Sequence, residues 1–520
     1  MFYPNSLKMK KYITLVLFGL TVTTMQSQDI TDAIRFSQEN LNGTARFRAM
    51  GGAFGALGGD FSSLNANPAG SAIFANNQVT FTLNNFGTNN KSNYFGTKTD
   101  ENSSTFDINQ FGGVFVLKNT DRSSDWKKFS FAMNYENSNN FDNAVFSAGT
   151  NPTHSIGNYF TYYANINGGE SLSNLQLQSG ENITDLYDYL GSNYGFGSQQ
   201  AFLGYQGYII DESLNYDENT NRNYVSLIPS GGNYYQENYF ESNGYNGKLT
   251  FNASGQYKDK FYFGVNINTH FIDYKQSTSF YEENTNNLFS GVQRLRFDNE
   301  LNTFGNGVSF QLGAIAKVTK EVRLGLSYES PTWYEMNDKL TQGLAVVSAD
   351  ALGELPTDYV NPRIINVYEP YQLQTPGKWT GSFAYVYGKS GLLSIDYSLK
   401  DYGNTEFIPK NDYIYANREM NNLLGLSSEL RIGGEYRINE LSLRAGYRTE
   451  QSPYKNGKTI GELTGFSTGF GYNFGGTRLD LAYSHTQRDS QKQFFSIGMT
   501  DSSKITTKTN NITMTLSFEL

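Results

Sequence analysis

Apolar and polar side chains alternate along most of this chain, from residue 78 to its last residue. The C-terminal segment from Ile512 to Leu520 reads ITMTLSFEL, with an apolar residue at every second position. Because successive side chains of a β-strand point to opposite faces, such a segment has one apolar and one polar face. Similar runs occupy residues 249–257, 261–270, 322–328, 393–399, 430–438, 441–447, 466–474 and 479–483. The pattern predicts an all-β fold.

The lengths of the connections between these runs predict how the strands are arranged. Six connections are short and rich in turn-forming residues, and seven longer polar segments separate them. Short turns on one side and long loops on the other are typical of a transmembrane antiparallel β-barrel, here of about 14 strands with both termini periplasmic. A soluble sandwich or repeat array is the alternative, which this asymmetry disfavours. The predicted extracellular loops are residues 138–246, 272–306, 330–378 and 402–426.

Composition agrees with a barrel and excludes other classes. The 520 residues include 38 Tyr and 38 Phe but no Cys, so no disulfide stabilises the chain. A mean hydropathy of −0.51 argues against a helical membrane protein, but a barrel is apolar only at every second position. A net charge of −9 disfavours nucleic acid as a partner, because phosphate binding requires a basic surface.

The first 27 residues have the pattern of an export signal. Lys8, Lys10 and Lys11 precede an apolar run over residues 12–24, and small and polar residues follow at Ser27. A transmembrane anchor is the alternative, but a spanning helix needs about 20 apolar residues. We therefore predict a signal peptide at 1–27 and localisation outside the cytoplasm, in the outer membrane.

A glycine-rich segment at residues 43–70 precedes the first predicted strand and ends in Asn67-Pro68-Ala69-Gly70. Proline fixes φ and lacks an N–H, so Asn67-Pro68 makes a rigid corner, and glycine lets a segment fold tightly in a narrow space. An ordinary surface turn is the alternative. A phosphate-binding loop is disfavoured because no GxxxxGK[ST] pattern is present. We predict a hatch at 28–77 that plugs a barrel formed by 78–520.

With this motif and about 14 strands, the chain resembles the FadL/TodX-type outer-membrane transport family over essentially its whole exported length. The resemblance implies a hatch motif at Asn67, Pro68, Ala69 and Gly70, and uptake of hydrophobic substrates that leave sideways into the membrane. The run from Leu326 to Pro331 is similar to a mid-barrel strand end of the family. The chain departs from the family in its early long insertion, and its third strand, 128–137, lacks the glycine or proline that would mark a kink with a lateral opening.

Arginines on the inward faces of the predicted strands are candidate contacts for a substrate carboxylate. Acidic residues share these faces, among them Asp396, Glu435 and Asp480. The arginines therefore either pair with these acids and with the hatch, or hold the carboxylate of a substrate such as a fatty acid. The candidates are Arg323, Arg431, Arg444 and Arg478.

The longest predicted loop, 138–246, is rich in aromatic residues. Loops of this length are usually functional. Its aromatic clusters either line an apolar entry groove or pack the loop into a lid. The candidate capture residues are Tyr162, Tyr163, Tyr187, Tyr208, Ile209, Tyr234 and Phe240.

No motif in the sequence indicates an enzyme, a cofactor or a metal site. The chain has three histidines far apart, no cysteine and no HExxH pattern. We predict passive uptake of hydrophobic small molecules, such as long-chain fatty acids or related apolar compounds, by a monomer in outer-membrane lipid, through movement of the hatch that the ligand triggers. The alternative is a barrel that acts in protein secretion, adhesion or haem binding. An apolar lumen would favour uptake, and a lumen filled with paired charges would favour the alternative.

Overall fold

A computed structural model describes residues 28–520, except residue 122 and residues 287–289. In this part of the chain, 14 long strands form one closed antiparallel barrel. Each strand pairs with the next, and the last pairs with the first from Gln78↔Glu519 to Asn93↔Lys504. The strands are β1 Gln78–Tyr94, β2 Thr97–Lys118, β3 Trp126–Asn140, β4 Tyr234–Tyr257, β5 Phe261–Asn284, β6 Gly291–Lys317, β7 Val322–Glu329, β8 Lys378–Tyr387, β9 Gly391–Asp401, β10 Leu426–Ile438, β11 Leu441–Glu450, β12 Ile460–Asn473, β13 Thr477–Gln493 and β14 Ser502–Glu519. The predicted fold class and strand number are confirmed, whereas the predicted signal peptide lies outside the described residues.

The barrel is apolar on its outside and polar on its inside. On β12, for example, Phe466, Phe470 and Tyr472 point outward and are exposed. Inward residues such as Thr250 and Asn266 are buried and hydrogen-bonded across the strands. This is the pattern of a wall that faces lipid on one side and a polar lumen on the other. Among the described residues, no helix is long and apolar enough to cross a membrane.

The N-terminal segment lies inside the barrel, in the position of a plug. It contains three short α-helices, α1 Ile30–Ser37, α2 Ala45–Ala49 and α3 Ser63–Ala66, and a 3₁₀-helix, Pro68–Ile73. Glycines in the wall let its backbone approach: a Cβ at Gly446 would lie 2.2 Å from the amide nitrogen of Gly51, and one at Gly325 would lie 2.3 Å from the carbonyl oxygen of Gly55. Such close approach is available only where the wall residue has no side chain.

Several strands rise far above the membrane. β4, β5 and β6 have 24, 24 and 27 residues, whereas about 10 residues span a bilayer. Most of the predicted extracellular loop 272–306 is regular structure, because β5 and β6 continue through it. The loop 330–378 likewise contains a long strand, Trp333–Asp350, that pairs with β6. Short strands accompany it at Gly353–Glu354, Asp358–Val360, Asn366–Val367 and Tyr371–Gln374.

The other two predicted loops also contain regular structure. Segment 138–246 includes a strand, Asn143–Asn151, four helices and a small hairpin, and it ends inside β4. Segment 402–426 contains a 3₁₀-helix, Tyr402–Asn404, a strand, Glu406–Ile408, and helix α8, Ile414–Leu423. The elements of the first segment are α4 Gly157–Asn165, a 3₁₀-turn Ile166–Gly168, α5 Leu172–Leu175, α6 Ile183–Asn193, α7 Phe196–Gln206 and the hairpin strands Ile210–Glu212 and Tyr224–Ser226.

Candidate functional site

Helices α4, α6 and α7 form a lid with a continuous apolar core over the outer part of the barrel. Phe160 and Phe202 are fully buried there, and the Phe160 ring lies 5.5 Å from that of Phe297 on β6. Phe495, between β13 and β14, stacks on the same ring of Phe297. The lid is thus held to the wall by the apolar area that it buries.

The predicted capture residues do not line one open groove. Tyr163, Tyr187, Ile209 and Tyr234 are buried in the lid core, and Phe240 lies in a separate small cluster with Val145 and Ile505. Tyr162 and Tyr208 are 40% and 60% exposed. Of the two predicted roles, packing the loop into a lid is the one that the geometry supports for the four residues in the lid core. Tyr187 donates a hydrogen bond to Gln342 Oε1 at 2.9 Å, and burial raises the pKa of its hydroxyl to about 12.

Below the lid, an apolar chamber in the lumen is occupied by helix α1. The helix buries Ala33, Ile34 and Phe36 in this chamber. The Phe36 ring makes edge contacts with Phe141 at 5.8 Å and with Tyr274 at 6.0 Å. We call the residues of the wall and of the long connections that surround α1 the α1 chamber: Phe141, Ile272, Tyr274, Tyr334, Met336, Tyr371, Leu373, Tyr402, Phe407, Tyr413, Met420, Leu424 and Tyr454.

Local sequence explains why α1 is a helix. Asp29 caps it by accepting hydrogen bonds from the amides of Thr31 at 2.7 Å and Asp32 at 3.2 Å, and the Asp32 carboxylate accepts from the amide of Asp29. Burial, and repulsion from Asp32, raise the pKa of Asp29 to about 6. The guanidinium of Arg35 lies 4.4 Å above the ring of Tyr274. Sequence reasoning missed this helix, although its capping box and the spacing of Ile30, Ala33 and Ile34 are a recognisable signal.

Between the α1 chamber and the part of the hatch that follows α1, the lumen is polar. A small polar cavity lies among Glu39 of the hatch and Glu329, Lys378 and Arg431 of the wall. Lys378 Nζ lies 2.8 Å from carboxylate oxygens of both Glu39 and Glu329, and Arg431 lies 2.7 Å from Glu429. Burial opposes ionisation of Glu39, but the attraction of Lys378 prevails and holds its pKa well below the usual range. The lumen therefore has both an apolar and a charge-paired compartment.

Three of the four candidate arginines are neutralised by wall carboxylates. Arg431 pairs with Glu429, Arg444 with Glu435 at 2.6 Å and Asp480 at 2.7 Å, and Arg478 with Asp480 at 2.8 Å. Arg46 of the hatch shares Glu435 at 2.8 Å. The fourth candidate, Arg323, donates to the carbonyl oxygen of Leu57 in the hatch at 2.9 Å. The geometry supports the structural role for these residues, namely pairing with acids and contact with the plug.

Replacing Arg444 with alanine is expected to destabilise the folded barrel by about 1.5–3 kcal/mol, because it removes charge-assisted hydrogen bonds from two buried carboxylates that keep Arg46 and Arg478 as partners. The side chain of Arg444 is 2% exposed, and both Glu435 and Asp480 are 0% exposed. Urea unfolding of the protein in lipid vesicles measures the change. Arg478→Ala is the matched control, with an expected loss below about 1 kcal/mol, because Asp480 keeps Arg444. Equal losses for the two variants would contradict the assigned pairing.

The Asn67-Pro68-Ala69-Gly70 motif joins the hatch to the wall. Asn67 Oδ1 accepts from the amide of Ala69 at 3.1 Å, and its Nδ2 donates to the carbonyl oxygens of Gly55 at 2.8 Å and Ala314 at 3.0 Å. The carbonyl of Pro68 accepts from Asn252 Nδ2 of β4 at 2.9 Å. Asn67 thus fixes the corner of the hatch and binds it to β6 with one side chain.

The wall has a break between β2 and β3. Their pairing ends at Gln110↔Glu136, whereas β3 and the following strand, Asn143–Asn151, both pair with β4. Asp107 bridges the break by accepting from Asn137 at 3.1 Å and Asn140 at 3.3 Å. The third strand thus ends its pairing with β2 although it has no glycine or proline at this point. A bulge between Asn137 and Asn139 in the ladder of β3 with β4 lies just beyond Glu136, the last residue of β3 that pairs with β2.

The hatch segment 38–43 lies against this break. The amide of Asn40 donates to the carbonyl of Ser138 at 3.2 Å, and the amide of Gly43 donates to Asn109 Oδ1 at 2.7 Å. Asn109 is the additional residue of a bulge in β2, since Thr82 pairs with Gln110 and Leu83 with Ile108. One continuous segment therefore connects α1, the wall break and the rest of the hatch.

Comparison with known proteins shows which fold this chain has. The model of UPF0164, an uncharacterised protein family, matches residues 18–94. No curated protein matches the chain. A FadL homologue of Pseudomonas aeruginosa is 12% identical, with a TM-score of 0.51, over 92% of this chain and 99% of that chain. The toluene transporter TodX of Pseudomonas putida is 14% identical, with a TM-score of 0.50, over 93% of this chain and 100% of that chain. Neither is described as an enzyme. At these identities the likeness shows the fold, and the chain has the fold of the FadL/TodX-type barrels, as the resemblance in its sequence predicted.

Proposed function

We propose that this protein is an outer-membrane channel for passive uptake of hydrophobic small molecules, and that α1 occupies the substrate chamber until substrate displaces it. The observation that carries the proposal is the burial of Ala33, Ile34 and Phe36 in a chamber of aromatic and aliphatic side chains. A long-chain fatty acid, or a related apolar compound, offers the same kind of surface. The exchange conserves buried apolar area, so modest binding energy suffices to displace the helix.

The position of the chamber favours a sideways exit. Phe141 belongs to the α1 chamber and directly follows β3, at the wall break. The route straight down is less favourable for an apolar molecule, because it crosses the charge-paired cavity around Lys378 and Arg431 and then the hatch. Apolar solutes gain nothing by displacing water from paired charges. We therefore propose release into the membrane between β2 and β3.

The hatch is the element that couples binding to release. Residues 38–43 follow α1 directly and provide hydrogen bonds to the broken end of β3 and to the bulge of β2. When substrate displaces α1, this segment loses the anchor at its N-terminal end. Local stability falls with the loss of such contacts, so the gap at Asp107 opens as the chamber fills.

Uptake in cells tests the proposal. The host lacks its own fatty-acid transporter and expresses either the intact chain or a variant without residues 43–70. We expect the cells with the intact chain to take up labelled oleate and the cells with the variant not to do so, although both proteins are folded in the outer membrane. Labelled toluene in the same cells measures the substrate range. Correct insertion of the intact chain without uptake of either compound would overturn the proposal.

The sealed lid favours one alternative, a barrel without a transport role. Its core closes over the outer part of the barrel and leaves Tyr208 and Tyr162 on the surface. A protein-secretion component, an adhesin or a haem-binding receptor would use that outer surface rather than the lumen. Proteins or haem that co-purify with the chain, together with absence of uptake, would support this alternative.

A further inference from the structure

The outer wall above the membrane carries a lysine cluster on the strands next to the wall break. On β14, Lys504 and Lys508 lie an even number of residues from the exposed Ile512 and therefore face outward like it. On β1, Lys91 lies on the same face as Leu83 for the same reason. Lys98 on β2 has the parity of the exposed Phe106. The three strands are hydrogen-bonded neighbours. We call Lys91, Lys98, Lys504 and Lys508 the lysine face.

Strand register gives the height of the lysine face above the apolar belt. The top of the belt here is the paired row Tyr483, Ile512, Asn85 and Phe106. Lys508 is four residues beyond Ile512, which is about 13 Å along the strand and about 10 Å in height at the usual tilt. Lys98 and Lys504 are eight residues beyond the row, at about 20 Å by the same rule. The lysine face therefore begins at the outer edge of the headgroup layer, within reach of the long side chain of Lys508, and rises above that layer.

The charges of the lysine face are available to a ligand. Within the described part of the chain, none of its four side-chain amines has an ion pair or a hydrogen bond. Two carboxylates share the surface, but Asp100 accepts from Asn89 at 2.6 Å and Asp489 accepts from Thr506 at 2.7 Å. Both carboxylates are thus bound to neutral groups.

The lysine face has the opposite charge from the outer surface of β4 and β5 above the apolar belt. The outward positions of β4 and β5 above the belt carry four acidic residues and one lysine: Glu237, Glu241, Asp273, Glu283 and Lys275. The whole chain has a net charge of −9. A basic surface that begins at the edge of the headgroup layer on an acidic protein indicates an anionic lipid partner with charged groups above its acyl chains, since each lysine near such a surface contributes about 1 kcal/mol.

We propose that the lysine face binds the phosphate groups of a glycolipid in the outer leaflet. The inference rests on the outer-membrane location of the proposed function, but not on transport. Ammonium groups form short charge-assisted hydrogen bonds to phosphate oxygens, and four of them match the two phosphates of a bisphosphorylated sugar headgroup. The bound lipid would lie on β14, β1 and β2, directly beside the break between β2 and β3.

The affinity of the purified full-length protein in detergent for lipopolysaccharide with a bisphosphorylated headgroup tests this inference. The variant replaces Lys91, Lys98, Lys504 and Lys508 with glutamine. We expect it to bind at least tenfold more weakly than the unmodified protein. The control replaces the four exposed lysines of the short turns, Lys258, Lys260, Lys320 and Lys389, with an identical change of net charge, and we expect its affinity to stay within twofold. Heat-dependent gel mobility verifies that each variant is folded.

Three outcomes would overturn the inference. One is equal binding by the lysine-face variant and the control. Another is undiminished binding of enzymatically dephosphorylated lipopolysaccharide by the unmodified protein. The third is full competition by 10 mM inorganic phosphate, which would identify a site for free anions. Because no step of the assay involves uptake, failure of transport and failure of lipid binding are distinguished.

Discussion

Replacing Ile34 and Phe36 with aspartate should empty the α1 chamber and raise the affinity of the protein for a fluorescent long-chain fatty acid at least tenfold. Both side chains are buried against chamber residues. Burial of one such side chain is worth about 1.5–3 kcal/mol, so the double change removes most of what holds α1 in place. A ligand that no longer competes with the helix binds with its intrinsic affinity. Fluorescence titration of the purified protein measures the effect.

The matched control for this experiment is Thr31→Asp. Thr31 lies on the same helix but is exposed, so the substitution adds a charge without removing a chamber contact. Its affinity should equal that of the unmodified protein. If the double variant binds no more tightly than the control, α1 does not compete with substrate.

Cross-linking the hatch to the wall break should reduce uptake at least tenfold. The side chains of Asn40 in the hatch and Asn139 in β3 are hydrogen-bonded, and the chain has no cysteine of its own. A disulfide between Asn40→Cys and Asn139→Cys would hold segment 38–43 against the break and prevent the proposed opening. Uptake of labelled oleate is measured in oxidised cells and again after reduction, which should restore it.

A second asparagine pair provides the control for cross-linking. Asn89 on β1 and Asn102 on β2 are register partners on the outer face, with Nδ2 and Oδ1 2.7 Å apart. A disulfide there joins two strands that already pair along their whole length, so uptake should not change. Equal uptake in the oxidised and reduced forms of the Asn40/Asn139 variant, with the disulfide verified, would exclude movement of this segment as the gate.

The strand number was predictable from sequence because two independent signals agree. Alternation marks the strands, and the contrast between short turns and long segments sets their count. The ends of the strands were not predictable in the same way. Above the membrane, β5 and β6 continue through residues such as Lys275, Ser277 and Arg296, where both faces are polar or mixed. There the apolar alternation that marks a lipid-facing strand disappears, although the ladder continues.

The contents of the lumen depend on register, which a single sequence does not specify. Arg444 lies directly opposite Glu435, and Arg431 opposite Arg448 with Glu429 next to both. A shift of one residue would turn these side chains to the lipid. The role of the arginines was therefore open until the strands were aligned. The capping box marks the start of α1 in the sequence, but a helix of eight residues is marginal by itself and gains most of its stability from the chamber that encloses it.

The most direct test of the central claim is a distance measurement between α1 and the wall. Spin labels on Thr31→Cys and Lys275→Cys report the position of the helix by pulsed electron paramagnetic resonance, with the purified protein in lipid nanodiscs. Without ligand, a single short distance is expected, because Arg35 of α1 contacts Gln276 next to the second label. Saturating oleate should replace it with longer and broader distances. An unchanged distance, with oleate shown to be bound, would contradict the claim that substrate takes the place of α1.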